Sequence, residues 1–153
     1  RPVGYMSPGP RPSPFTLEIC ASLGFLWNGD YGNSDVPYSL DVDGKNIVSV
    51  GYVRPAYTDN DILPLGLSGA LQQLKDEFDA YYEESAIHPM KFRYAMHNFT
   101  GGRPGLAKVF ERFLEYLKSH RGVWFCRSID VAEFWAENDA NFRVVQLDRR
   151  KAS

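Results

Sequence analysis

Lys91–Phe110 reads KFRYAMHNFTGGRPGLAKVF. A strand-like run, Phe92 to Met96, delivers His97 to its end. Gly101 and Gly102 follow, and Arg103-Pro104-Gly105 opens an amphipathic helix. Leu106, Val109, Phe110, Phe113, Leu114 and Leu117 carry that helix to about Ser119. Strand, loop with a titratable group, then helix is how an α/β enzyme presents a catalytic side chain. A histidine placed there can donate or accept a proton near neutral pH. The same pattern also fits a surface histidine before a glycine-rich turn, so the rest of the chain has to decide.

Upstream, Val3 to Met6 reads as a strand end followed by the Pro/Gly-rich loop Ser7 to Pro12. Ser13 is the expected N-cap of a helix with Pro14 at its first position, Leu17, Cys20 and Ala21 on its apolar face and Gly24 closing it. A strand at Phe25-Leu26-Trp27 ends in a polar loop, Asn28 to Asn33. Val36–Leu40 and Asn46–Val50 flank Asp43-Gly44 as a hairpin. Gly51 to Pro64 shows no period and reads as a long irregular loop. Leu67, Leu71, Leu74, Phe78 and Tyr81 predict a helix over 67–86, and His88-Pro89 ends it with an exposed linker histidine. Gly122 to Phe125 reads as a short buried strand, and Ser128 or Asp130 as the cap of a last helix. Residues 1–138 form the domain and 139–153, with Arg149-Arg150-Lys151, a solvated tail. Alternating strands and helices argue an α/β protein with mostly parallel strands. Polar residues recur after the strands, at Ser7-Pro8-Gly9, Asn28 to Asp30 and His97 to Gly102, where such sheets carry their sites.

The composition suits a globular chain: 44% hydrophobic and 24% charged residues over 153 positions, with net charge −2. No basic stripe points to nucleic acid, and no apolar run is long enough to span a membrane. No signal peptide is visible. Cys20 and Cys126 are expected as two buried free thiols, with no metal-type spacing, which favours a cytoplasmic compartment.

Two segments carry a resemblance. RPVGYMSPGPRPSPFTLEICASLGFLWNGD and YAMHNFTGGRPGLAKVFERFLEYLKSHRGVWFCRSIDVAEFW resemble the second half of a polysaccharide-deacetylase (NodB-homology) domain. Within that family they are most similar to the subgroup with the cofactor-independent allantoinases and cyclic amidases. The resemblance implies the second half of a deformed (β/α) barrel that hydrolyses non-peptide amide or ureide C–N bonds. His97 matches the histidine that the family uses as general acid toward the leaving nitrogen. Ser7, Gly9, Arg11, Trp27, Asp30 and Arg103 are the candidate substrate-binding residues, with Arg11 and Arg103 reading equally as solvated arginines and Tyr31 and Tyr57 as further aromatic candidates. Backbone N–H groups of the Ser7–Gly9 loop are candidate oxyanion donors.

The chain also departs from the family. Met6 stands where many sugar deacetylases have an arginine that orients a carboxylate, and Arg11 is a nearby candidate cation. The family's Asp-Asp pair and its His-x-x-x-His metal motif have no counterpart, so a divalent metal is implied only through ligands outside this chain. A complete barrel of this type takes about 250 residues. The expectation is therefore an oligomeric or composite assembly, in which an N-terminal half supplies the base and a small amide or N-acetyl sugar is the substrate. The alternative is a non-catalytic half-barrel that binds carbohydrate or a partner chain.

Overall fold

The computed structural model describes residues 1–51 and 58–138; the tail and Tyr57 lie outside the described residues. Its sheet has the order β1 (Gly4–Tyr5), β2 (Trp27–Asn28), β4 (Lys45–Ser49), β3 (Tyr38–Val42). β1 pairs parallel with β2 and β2 with β4, whereas β3 and β4 form the expected hairpin. Asp43 and Gly44 turn it with φ of 52° and 74°, the left-handed pair that a two-residue hairpin requires.

The strand period of two sorts the helices onto opposite faces. Ile47 points to α1 (Thr16–Ser22) and packs with Cys20 and Ala21. Its neighbour Val48, with Val50, faces α5 (Ser128–Asn138) and meets Ala132 and Trp135. The larger core lies between α3 (Gly66–Glu84) and α4 (Pro104–Lys118), where Leu74 and Phe78 pack against Leu106, Val109, Phe110, Phe113 and Leu117. Burying each such side chain contributes about 2 kcal/mol, and this pair of helices carries the loop that holds His97.

Several expectations change. Ser13 does not cap α1 directly: its carbonyl accepts the Thr16 N–H and its hydroxyl meets Thr16 Oγ1 at 3.0 Å, so a proline-containing turn precedes a helix starting at Thr16. The irregular stretch expected up to Pro64 contains a helical turn, α2 (Asp59–Ile62), followed by a 3₁₀ turn at Leu63–Leu65. Thr58 starts α2, its N–H and hydroxyl both held by Asp61. Phe92 to Met96 is extended but makes one ladder contact, the parallel bridge of Ala95 to Thr58. Gly122 to Phe125 forms no strand, and Trp124 and Phe125 are 57% and 50% exposed. An apolar run becomes a buried strand only where a neighbouring strand pairs with it. Cys126, which ends that run, is exposed, and of the two free thiols Cys20 alone is buried. Leu114, expected on the apolar face of α4, points to solvent. No described helix is long and apolar enough to cross a membrane.

The β1–β2 contact is close enough to exclude any side chain at its first position. A Cβ added at Gly4 would lie 1.9 Å from the Trp27 ring. Gly4→Ala is therefore expected to destabilise the fold by about 2 kcal/mol or more, read as a lower urea midpoint with an unchanged slope.

Candidate active site

Parallel pairing sets the carboxyl ends of β1, β2 and β4 on one side, and two polar clusters form there. The first joins the ends of β1 and β2. Asp30 accepts the Ser7 N–H at 2.6 Å, the Ser7 hydroxyl at 2.9 Å and the Asn28 amide at 3.2 Å. Asn28 Oδ1 in turn accepts the Asp30 N–H at 2.8 Å. All three residues are buried, so a carboxylate that would be costly alone is satisfied by local donors. This corrects the oxyanion reading at Ser7, because its N–H is already committed to Asp30. Pro8 has no main-chain N–H, so Gly9 has the remaining one of the Ser7–Gly9 segment.

The second cluster surrounds a residue that the sequence reading passed over. Asp59, fully buried at the start of α2, accepts three N–H groups from the His97 loop. The His97 main chain donates to Oδ2 at 2.8 Å, Gly101 donates to the same oxygen at 2.7 Å, and the His97 ring Nδ1 meets Oδ1 at 2.6 Å. The Asp59 N–H closes the unit on the Ala95 carbonyl at 3.3 Å. Gly101 is required by this closeness, since a Cβ there would sit 2.9 Å from Asp59 Oδ2. Burial alone would raise the Asp59 carboxyl, but the hydrogen bonds from the His97 ring, the His97 main chain and Gly101 outweigh it and hold it below the ordinary carboxylate range.

An ionised carboxylate only accepts, so the His97 proton partner of Asp59 is assigned to Nδ1. Nε2 is then the ring atom left for chemistry, on a side chain that is 39% exposed. Phe99 stacks beside the ring at a centroid distance of 5.2 Å. A histidine with a buried carboxylate behind it and an open nitrogen in front is built for proton transfer.

The other candidates are placed differently. Arg103 is the N-terminal residue before α4, exposed, with Nε donating to the Phe99 carbonyl at 3.2 Å, so it ties down the His97 loop. Arg11 is exposed. Trp27 is half-buried with its ring over Gly4 and the Arg93 guanidinium 6.0 Å from its centroid. Arg93 also reaches Met6, Nη2 lying 3.5 Å from Sδ. Tyr31 is half-buried, and burial, with Asp30 adding to it, raises its phenol. Among the described residues no three His, Cys, Asp or Glu side chains converge, and Asp30 and Asp59 each accept three hydrogen bonds from neighbouring loop groups. The described residues therefore do not supply a ligand set for the divalent metal that the resemblance allows, and no step is routed through one.

Comparison with known proteins agrees with this architecture. No protein-family model matches the chain. A candidate polysaccharide deacetylase from Schizosaccharomyces pombe is 27% identical over 108 residues, which is 70% of this chain and 30% of that protein. A solved structure of a probable polysaccharide deacetylase from Pseudomonas aeruginosa superposes with a TM-score of 0.77 at 31% identity, over 90% of this chain and 47% of that one. The Puue allantoinase structure gives a TM-score of 0.77 at 30% identity, with the same coverage. A candidate deacetylase from Mycobacterium smegmatis shares the fold at 20% identity, with a TM-score of 0.74. The chain thus has the α/β fold of part of a polysaccharide-deacetylase (NodB-type) domain, and it spans about half the length of the solved structures it matches.

The buried Asp59 makes the site acid-sensitive. Because its folded pKa is depressed, its contribution is fully present above the ordinary carboxylate pKa of about 4 and is lost as pH falls through the lower folded value. Asp59→Asn is expected to cost about 2–4 kcal/mol at neutral pH by leaving buried N–H donors poorly matched. Denaturant titrations from neutral to acid pH should show wild-type stability falling toward the acid end and a flatter profile for the variant.

Proposed function

We propose that this chain carries the general-acid side of a polysaccharide-deacetylase-like hydrolase that cleaves non-peptide amide C–N bonds. The observation that carries the reading is the 2.6 Å contact between His97 Nδ1 and a buried, ionised Asp59. Asp59 fixes the ring orientation and supports the imidazolium, so His97 presents Nε2–H outward. Water adds to the amide carbonyl, the C–N bond of the tetrahedral adduct breaks, and the Nε2 proton passes to the departing nitrogen. The products are a carboxylic acid and an amine. Nitrogen leaves poorly as an anion, so a proton delivered in the transition state is worth about 10²–10⁴ in rate.

The Gly9 N–H, at the end of β1, is the donor assigned to the developing oxyanion. The carboxylate that activates water is assigned to the part of the domain that this chain does not span. The preferred substrate class is an N-acetylated sugar, in keeping with the deacetylases among its relatives. A cyclic ureide is the second reading, because the allantoinase structure superposes as well as the first deacetylase.

The test is His97→Ala in the protein with its complete domain, assayed for acetate release from N-acetylglucosamine oligomers and for ring opening of allantoin. Turnover should fall about 10²–10⁴-fold with an unchanged circular-dichroism spectrum and little change in KM. Unchanged turnover removes His97 from the mechanism, and the substrate that wild type consumes decides between the two classes.

A further inference from the structure

The loop that holds His97 also carries Phe99, at 67% the most exposed aromatic side chain among the described residues. Its ring contact among those residues is His97, with centroids 5.2 Å apart and planes inclined by 38°. An exposed phenylalanine on a loose loop would call for no explanation. This loop is held at several points. The His97 and Gly101 N–H groups are on Asp59, and the Thr100 and Gly101 N–H groups reach the His97 carbonyl at 3.1 and 2.8 Å. Arg103 Nε holds the Phe99 carbonyl at 3.2 Å. Gly102 closes the turn so tightly that a Cβ there would lie 2.3 Å from the Asn98 carbonyl oxygen. The exposed ring is thus carried on a fixed backbone, so meeting a ligand costs little further ordering.

Distance and chemistry limit what can meet it. A nitrogen that takes a proton from His97 has to come within hydrogen-bond reach of Nε2, about 3 Å. With the phenyl ring centred 5.2 Å from the imidazole, a bulky group attached to that nitrogen is brought within reach of Phe99. The phenyl ring has no hydrogen-bonding atom and an electron-rich face. It suits a surface of C–H groups, such as one face of a pyranose. A cyclic ureide presents less of such a surface, because N–H and C=O groups make up most of its ring, and an apolar ring leaves them unpaired.

We infer that Phe99 is a specificity-determining residue, whose outward face receives the C–H face of the sugar unit that bears the scissile amide. This rests on the reading of His97 as the acid toward an N-acetylated sugar. One loop then carries both the ring that gives the proton and the ring that selects the group around the departing nitrogen.

Binding is tested apart from turnover, on the protein with its complete domain and His97→Gln, which keeps a planar group beside Phe99. Titration calorimetry with the N-acetylglucosamine trimer should show Phe99→Ala weakening affinity about tenfold, with Phe99→Trp keeping it. Equal affinity with and without the phenyl ring overturns the inference, and so does a trimer that does not bind at all. Saturation-transfer NMR with Phe99 intact covers the case in which Phe99→Ala does not fold. Irradiation of the phenylalanine ring signals should label the C–H protons of one face of a sugar unit, and labelling confined to the acetyl methyl overturns the inference. In protein with His97 restored, the Phe99→Ala loss should fall on KM; a lower kcat at unchanged KM would mean that the phenyl ring acts through the imidazole, against the inference. A trimer that binds through Phe99 yet is never hydrolysed sinks the proposed activity and leaves this contact standing. Hydrolysis that needs His97 while affinity ignores Phe99 does the reverse.

Discussion

The Asp59 carboxylate is the constraint on which the site depends. A buried ionised carboxylate is costly unless its oxygens find donors, and those donors have to be fixed in place. The His97–Gly101 loop provides that set, with two main-chain N–H groups and one ring nitrogen. The same contacts that satisfy Asp59 thus define the loop conformation and the orientation of the imidazole. Phe110 of α4 and Met96 close on the loop as well: a Cβ added at Gly101 would sit 3.2 and 3.1 Å from them, tighter than ordinary van der Waals contact. A change at any of these residues acts on the His97 ring through geometry before it acts through chemistry.

What the sequence revealed and what it hid follow from the range of the interactions involved. The Asp43-Gly44 hairpin and the long helices rest on local periodicity and turn chemistry, and these were legible, whereas the strand expected before His97 reduces to the single bridge of Ala95 to Thr58. Asp59 was not, because it follows an aperiodic stretch and its meaning lies in a partner 38 residues away. A Thr-x-x-Asp pattern, Thr58 to Asp61, was a local signal for the start of α2 that could have drawn attention to the residue between. The Val123-Trp124-Phe125 run shows the opposite error: hydrophobicity marks a surface that needs covering, but not whether this chain covers it.

Ser7 and Asp30 illustrate a further ambiguity. Polar residues after parallel strands read as ligand contacts, yet here they satisfy one another and lock the β1 end to the β2 end. Such a joint serves the site by fixing the loop that carries Gly9. Arg103 likewise spends its guanidinium on the Phe99 carbonyl. Residue type and position at a strand end identify the face of the molecule where chemistry happens. They do not separate groups that meet the substrate from groups that hold the loops.

The two polar clusters differ in what they leave open, and that difference bears on the division of labour in the reaction. Asp30 accepts three hydrogen bonds from Ser7 and Asn28, and Asp59 three from the His97 loop, so both carboxylates are engaged in holding loops. With Nδ1 of His97 on Asp59, Nε2 is the ring atom left for proton transfer on the proposed mechanism. An acid without a base cannot hydrolyse an amide, because the attacking water must lose a proton while the nitrogen gains one. On the proposed mechanism the chemistry of these two clusters is therefore one-sided, an acid whose base lies elsewhere in the domain.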